Sequence, residues 1–313
     1  MSGSNNSSAP LWITDPSRCT IDICPIENSL FNYQASLGFN ATLLALFSLS
    51  TIGFIVVGIW KKTWGFFIAM SLGGILEVIG YIARVAGAVS PFNGLAGQAF
   101  LVQICCLTIA PACYAAGIYL CLSRIVMAFG EGISRIKPRW YTYIFIACDV
   151  SSLILQSAGG AIASLADDQD GLELGTNIMI AGLAWQVVTM TLFMALCAEF
   201  AYRCYKHKHL FDVSQASLRS SKKFRYFLVA LGVATLLIYI RCVYRVAELA
   251  EGWNGPLMLS ETYFLVLEGL MVVLAVLVLN VFHPGICFGE SYAARNSGET
   301  KEGFSSDTNN SEA

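Results

Sequence analysis

The chain has 313 residues, 56% of them hydrophobic and 13% charged, with a formal net charge of −2 and a mean hydropathy of +0.62. A soluble domain carries about 25% charged residues, so this composition excludes an ordinary water-soluble globule. Apolar stretches long enough to cross about 30 Å of hydrocarbon recur along it, and because backbone groups in lipid must pair within their own segment they predict helices rather than barrel strands.

The first 35 residues are polar and lack the apolar core of a cleavable signal peptide. Read as an outside arm, they hold Asn5 and Asn6 in glycosylation sequons, and Cys19 and Cys24 as a candidate disulfide in an oxidising compartment. The alternative is a merely polar tail. Seven spans follow, at about 36–60, 65–89, 96–127, 141–165, 174–201, 224–249 and 259–282. The first connection carries Lys61 and Lys62, the third Arg135, Lys137 and Arg139, and the fifth Arg203, Lys206, Lys208, Arg219, Lys222, Lys223 and Arg225. The even connections have no lysine or arginine, and the fourth is acidic, with Asp167, Asp168, Asp170 and Glu173. Lysine and arginine concentrate on the cytoplasmic side of membranes. The predicted fold is therefore all-α and polytopic, seven transmembrane helices with the amino terminus outside and the carboxyl terminus cytoplasmic. Residues 1–35 form the arm, 36–283 the membrane domain and 284–313 a disordered cytoplasmic tail.

A charge at membrane depth costs at least a few kcal/mol, so each ionisable residue within a span is a candidate site residue. Residues three, four or seven apart share a helix face. Span two then aligns Glu77, Tyr81 and Arg84. Span three aligns Gln103 and Tyr114, with Pro111 as an expected kink. Span four aligns Asp149, Ser152 and Gln156, and span five has Gln186 beside Trp185. Span six aligns Arg241, Arg245 and Glu248 with Tyr244 beside them, and span seven Glu261 and Glu268. In the predicted topology most of these groups fall in the outer half, and Asp149 lies nearer the cytoplasm. One reading has them converge on a hydrated pocket that binds a ligand. The other has them pair among themselves, Glu77 with Arg245 or Arg84 with Glu268, and lock the helices together. Gln103, Gln156 and Gln186 read first as interhelical hydrogen-bond partners.

Several activities lack their residues. All three histidines, His207, His209 and His283, lie in connections or at a span end, which argues against an intramembrane zinc site. No glycine loop with a phosphate-binding lysine is present, and neither ATP nor nucleic acid is an expected partner. Span seven has no lysine for a retinal Schiff base, and Leu122-Ser123-Arg124 stands where a seven-helix signalling receptor carries Asp-Arg-Tyr. No nucleophile–base pair or metal set for an enzyme can be assembled from spacing.

Taken in order, several motifs resemble those of the fungal lipid-translocating exporters, the Rta-like proteins. They are Glu77-x-x-Gly80-Tyr81-x-x-Arg84, Gln103 with Ala110-Pro111 and Tyr114, Asp149 with Gln156 and Gly159-Gly160, and Gly182-Leu183-x-x-Gln186. Arg241-x-x-Tyr244-Arg245-x-x-Glu248, Glu261 and His283-Pro284-Gly285 complete the series. Glu268 departs from it, since members often carry aspartate there. The resemblance implies an ATP-independent translocase of sphingoid long-chain bases or related amphiphiles, linked to resistance against toxic lipophilic compounds. It implies the plasma membrane, with the vacuolar membrane or endoplasmic reticulum as alternatives. In such a protein Glu77, Glu261 and Glu268 would hold the substrate ammonium, and Tyr81, Tyr114, Tyr244 and Trp185 would line its apolar part. Arg84, Arg241 and Arg245 would receive an anionic head group or neutralise the acids. Some relatives handle haem or porphyrin, for which the arginines would take the propionates and a tyrosine the iron. A lipid-sensing receptor is the third reading, and no cofactor is expected outside the haem one.

Overall fold

A computed structural model of the protein describes residues 35–89, 96–130, 135, 137–166, 168–206, 216–252 and 255–288. Asn5, Asn6, Cys19, Cys24, His207, His209 and the expected tail beyond 288 lie outside them. Among the described residues, seven helices are long and apolar enough to cross a membrane, so the chain is an integral membrane protein. They are α1 (Leu37–Trp60), α2 (Trp64–Val89), α3 (Ala96–Phe129), α4 (Pro138–Leu165), α5 (Gln169–Lys206) and α6 (Lys222–Ala250). The last, α7, is composite: Glu261–Tyr263, a π-helical stretch Phe264–Leu270, and Met271–Val281. Short helical turns occupy Ala216–Ser220, Pro256–Leu259 and Pro284–Cys287.

Six of the seven spans match the expected ranges to within a few residues. The exception, α5, runs 38 residues, five beyond the expected range at each end. Polar residues sustain the extra turns, with Asp170 in the first turn and Arg203 and Lys206 in the last, each of the sign that complements the helix dipole. Helix α3 continues through Pro111.

Close backbone approach sets the packing. α2 lies between α1 and α3, α4 pairs with α5, and α6 packs on α7, α5 and α3. A Cβ on Gly80 of α2 would fall 2.7 Å from the Leu107 side chain of α3. One on Gly175 of α5 would fall 2.4 Å from the backbone nitrogen of Ala163 in α4. Helices in lipid associate by such contacts, because hydrocarbon gives them no hydrophobic drive to meet.

The odd-numbered connections gather at one end, here called the basic end. Arg135 Nε lies 2.8 Å from Glu199 Oε1, which Arg203 also pairs with at 2.9 Å, and Arg219 Nη1 donates to the Ala128 carbonyl at 2.8 Å. The end of α7 closes against the first connection through His283, fully buried, whose ring centroid lies 5.2 Å from that of Phe66. Its Nδ1 accepts from the Gly285 N–H at 3.1 Å, and Gly285 is pressed against the side chains of Lys61 and Thr63. Exposed Trp60, Trp64, Trp140, Tyr202, Tyr205 and Tyr226 ring this end, as aromatic residues do at a bilayer boundary.

Gly175→Ala should destabilise the protein by about 1–3 kcal/mol, because the added methyl must push backbone apart. Gly232→Ala, whose Cβ meets nothing within 4 Å, should be neutral or stabilise by about 0.5–1 kcal/mol. Thermal melting of the two purified variants in detergent measures the difference, and equal melting would contradict the tight α4–α5 contact.

Candidate functional site

Proline 111 has no N–H, so the carbonyl four residues before it, that of Leu107, loses its helical donor. Arg241 of α6 replaces it. Its Nη2 donates to the Leu107 oxygen at 2.6 Å and to Glu268 Oε1 of α7 at 2.5 Å, and the side chain is fully buried. Residues three and four apart on one helix face then extend the set. Arg245 donates to Glu248 Oε2 and holds its Nε 3.9 Å from Glu268 Oε2, while the Tyr244 hydroxyl donates to Glu248 Oε1 at 3.0 Å. From α2, Glu77 faces the charges of Glu268 and Arg241 and, among the described residues, accepts no hydrogen bond. Three carboxylates thus meet two guanidiniums. Tyr81 stacks on Phe47 at 5.2 Å, and its hydroxyl, without a hydrogen-bond partner, abuts Gly269. Both Glu268 and Gly269 belong to the π-helical stretch, whose wider turn alters which residues face the bundle interior.

A second group lies two turns from Glu268 along α7, at the end opposite the basic one. Glu261 Oε1 accepts from the Ser36 N–H at 2.6 Å and from Asn40 Nδ2 at 3.3 Å. Asn40 Oδ1 accepts from Arg84 Nε at 2.8 Å, and the Arg84 guanidinium sits 3.8 Å from the centre of the Phe264 ring.

A third group joins α3, α4 and α5. Asp149 Oδ2 accepts from the Tyr119 hydroxyl at 2.9 Å, and that hydroxyl lies 3.5 Å from Met190 Sδ. Gln156 Nε2 donates to Gln186 Oε1 at 3.3 Å, the interhelical bond expected of these two amides. Gln103 is buried one turn from Leu107 on α3, with its Oε1 unpartnered.

The structure therefore brings Glu77, Tyr81, Arg241, Tyr244, Arg245, Glu248 and Glu268 together, with Tyr114 near Glu77 and Tyr81, and Arg84 within electrostatic reach of Tyr81. Arg84 and Glu261 stand at one end, and Asp149, Gln156 and Gln186 form a separate set. The expected pairs Glu77–Arg245 and Arg84–Glu268 are replaced by Arg241–Glu268 and Arg245–Glu248, because the register of α6 against α7 sets Arg241 level with Glu268. The charged residues of the central cluster line neither of two cavities in the bundle. These cavities, of about 490 and 400 Å³, lie between α3, α5 and α6 and between α3, α4 and α5, both lined mainly by apolar side chains. Helix α2 packs closely on α3 one turn from Glu77, where a Cβ on Gly73 would fall 2.7 Å from the Tyr114 ring. Tyr114 is thereby a packing residue, and Trp185 points outward, its Nε1 donating to Ser151 Oγ at 3.1 Å. The residues do not fit a porphyrin: Arg241 and Arg245 are held by glutamates, and Tyr81 and Tyr114 are packed against neighbouring helices.

Sequence reasoning missed Asn40, Tyr119 and the Leu107 carbonyl. A signal existed for the last, because a proline inside a helix always releases an acceptor one turn back.

A family model described as RTA1 like protein matches residues 70–291. The sphingoid long-chain base transporter RSB1 of Saccharomyces cerevisiae is 36% identical over 291 residues, covering 84% of this chain and 75% of the transporter. Protein RTM1 of the same yeast is 31% identical over 237 residues, covering 74% and 71% of the two chains. Protein RTA1 is 27% identical over 280 residues, covering 82% and 84%. No solved structure matches the chain.

Arg241→Met or Glu268→Met alone should cost about 3–5 kcal/mol of stability, because each leaves a buried charge unpaired. The double variant should recover much of that loss. A double-mutant cycle by thermal melting in detergent reads the coupling; additive single effects would mean that the pair does not interact as described.

Proposed function

The chain belongs to the RTA1-like family, and from that premise we propose that it carries long-chain cationic amphiphiles, sphingoid long-chain bases first among them, across its membrane without ATP. The observation that carries this reading is the similarity, over 84% of the chain, to a yeast protein named for transporting those bases. The central cluster supports it, since its acids outnumber its arginines and Glu77 is the member left to exchange a proton or a cation. A positively charged substrate would meet no fixed excess of positive charge on its way through the bundle. The basic end is read as cytoplasmic and the end carrying Arg84 and Glu261 as external, following the lysine and arginine bias. The plasma membrane is the proposed location.

Reconstitution of the full chain in liposomes tests the proposal. Wild type should accelerate the movement of a fluorescent sphingoid base between leaflets in the absence of ATP, and Glu77→Gln should slow it about tenfold. Movement no faster than in protein-free liposomes would refute transport. Tight binding without movement would point to lipid sensing.

A further inference from the structure

The two apolar cavities lie toward opposite ends of the bundle and approach each other along α3 and α5. The first lies toward the basic end, where Phe129, Cys204 and Leu228 line it, and the second toward the other end, where Phe100, Ser164 and Leu172 line it. On α3 the second reaches Ile109 and the first begins at Ile118, a gap of nine residues or about 14 Å of helical rise.

Polar side chains border that gap. Tyr119 follows Ile118 of the first cavity, and Met190, 3.5 Å from its hydroxyl, precedes Phe193 of the same cavity by one turn. Across the gap Asp149 shares a face of α4 with Leu153 and Gln156, both lining the second cavity. Asp149 also stands nine residues along α4 from Trp140 of the aromatic ring, about 14 Å by helical rise and so near the middle of a hydrocarbon core of about 30 Å.

Asp149 is only 4% exposed. One of its oxygens accepts from Tyr119; the other, Oδ1, has no partner, and neither has Gln156 Oε1. Among the described residues no lysine or arginine pairs with Asp149, whereas Glu248 and Glu268 each have an arginine. A carboxylate at that depth with a single neutral donor lacks the cation that buried acids ordinarily keep.

We propose that Asp149 and Gln156 form a mid-membrane binding site for the ammonium and hydroxyl head of a long-chain amine, with the two flanking cavities taking its alkyl chain in turn. The ammonium donates to Asp149 Oδ1 and a hydroxyl to Gln156 Oε1. No covalent step is involved. This inference rests on the transport reading for the identity of the amine, and it moves the head-group site away from the Arg241–Glu268 cluster.

Binding and transfer, measured separately on the full-length protein, test it. The probes are sphingosine and its N-acetyl derivative, which keeps the chain and hydroxyls but has no positive charge. Wild type should prefer sphingosine more than tenfold. Asp149→Asn should lower sphingosine binding at least tenfold and leave the N-acetyl derivative unchanged. Gly232→Trp, which fills the cavity toward the basic end and does not touch Asp149, should keep the preference and slow transfer between leaflets. A folded Asp149→Asn protein that retains the preference overturns the site and leaves transport standing. Wild type that shows the preference through Asp149 yet moves no lipid leaves the site and removes transport, and absence of both binding and movement removes both. Should Asp149→Asn fail to fold, Gln156→Leu should weaken sphingosine binding several-fold, and unchanged binding overturns the proposal. Wild-type transfer by Gly232→Trp overturns the role given to that cavity.

Discussion

One nitrogen atom holds the bundle in register. Arg241 Nη2 bridges the Leu107 carbonyl of α3 and the Glu268 carboxylate of α7, so three helices share a single donor at a depth where no water replaces it. The bond exists because Pro111 interrupts the hydrogen-bond ladder of α3 one turn further on. Its acceptor Glu268 sits in the π-helical turn, and the next residue, Gly269, meets the hydroxyl of Tyr81 from α2. A buried ion pair of this kind adds little net stability over an apolar replacement, yet losing one partner is expensive. It therefore acts chiefly as a constraint, forbidding other registers of α6 against α7.

Much of the fold was legible in the sequence because its signals are local. Apolar length and the alternation of basic connections need no knowledge of neighbours, and they anticipate all seven helices and the gathering of basic residues at one end. Three-residue spacing put Arg245 and Glu248 on one helix face, although the pairing expected for Arg245 was with Glu77. Partners on different helices were not legible, since Arg241 meets Glu268 rather than another acid only through interhelical register. The π-helical turn has no signal among Phe264–Leu270. The cavities are space left over by side-chain volume, which hydropathy does not report. Asn40 was readable as a polar residue at the start of an apolar span, and Tyr119 was not, because a tyrosine on an apolar face is usually only packing.

The bundle divides into two halves that share α3. On one side, α1, α2, α6 and α7 enclose close-packed charges around Arg241 and, at one end, Glu261 with Arg84. On the other, α4 and α5 pack on each other through glycines, and with α3 and α6 they leave apolar cavities. α3 contributes to both halves, Leu107 to the ion-pair network and Tyr119 to the group around Asp149.

The cavity between α3, α4 and α5 is bordered by exposed Leu101 and Ser157, and the one between α3, α5 and α6 by exposed Gly232, so both open sideways between helices. A solute entering by these doors arrives from the hydrocarbon, and its occupancy follows its mole fraction among lipids rather than its aqueous molarity. The same aqueous dose given to proteoliposomes richer in lipid is thus more dilute where it matters, and the apparent affinity weakens although the protein is unchanged.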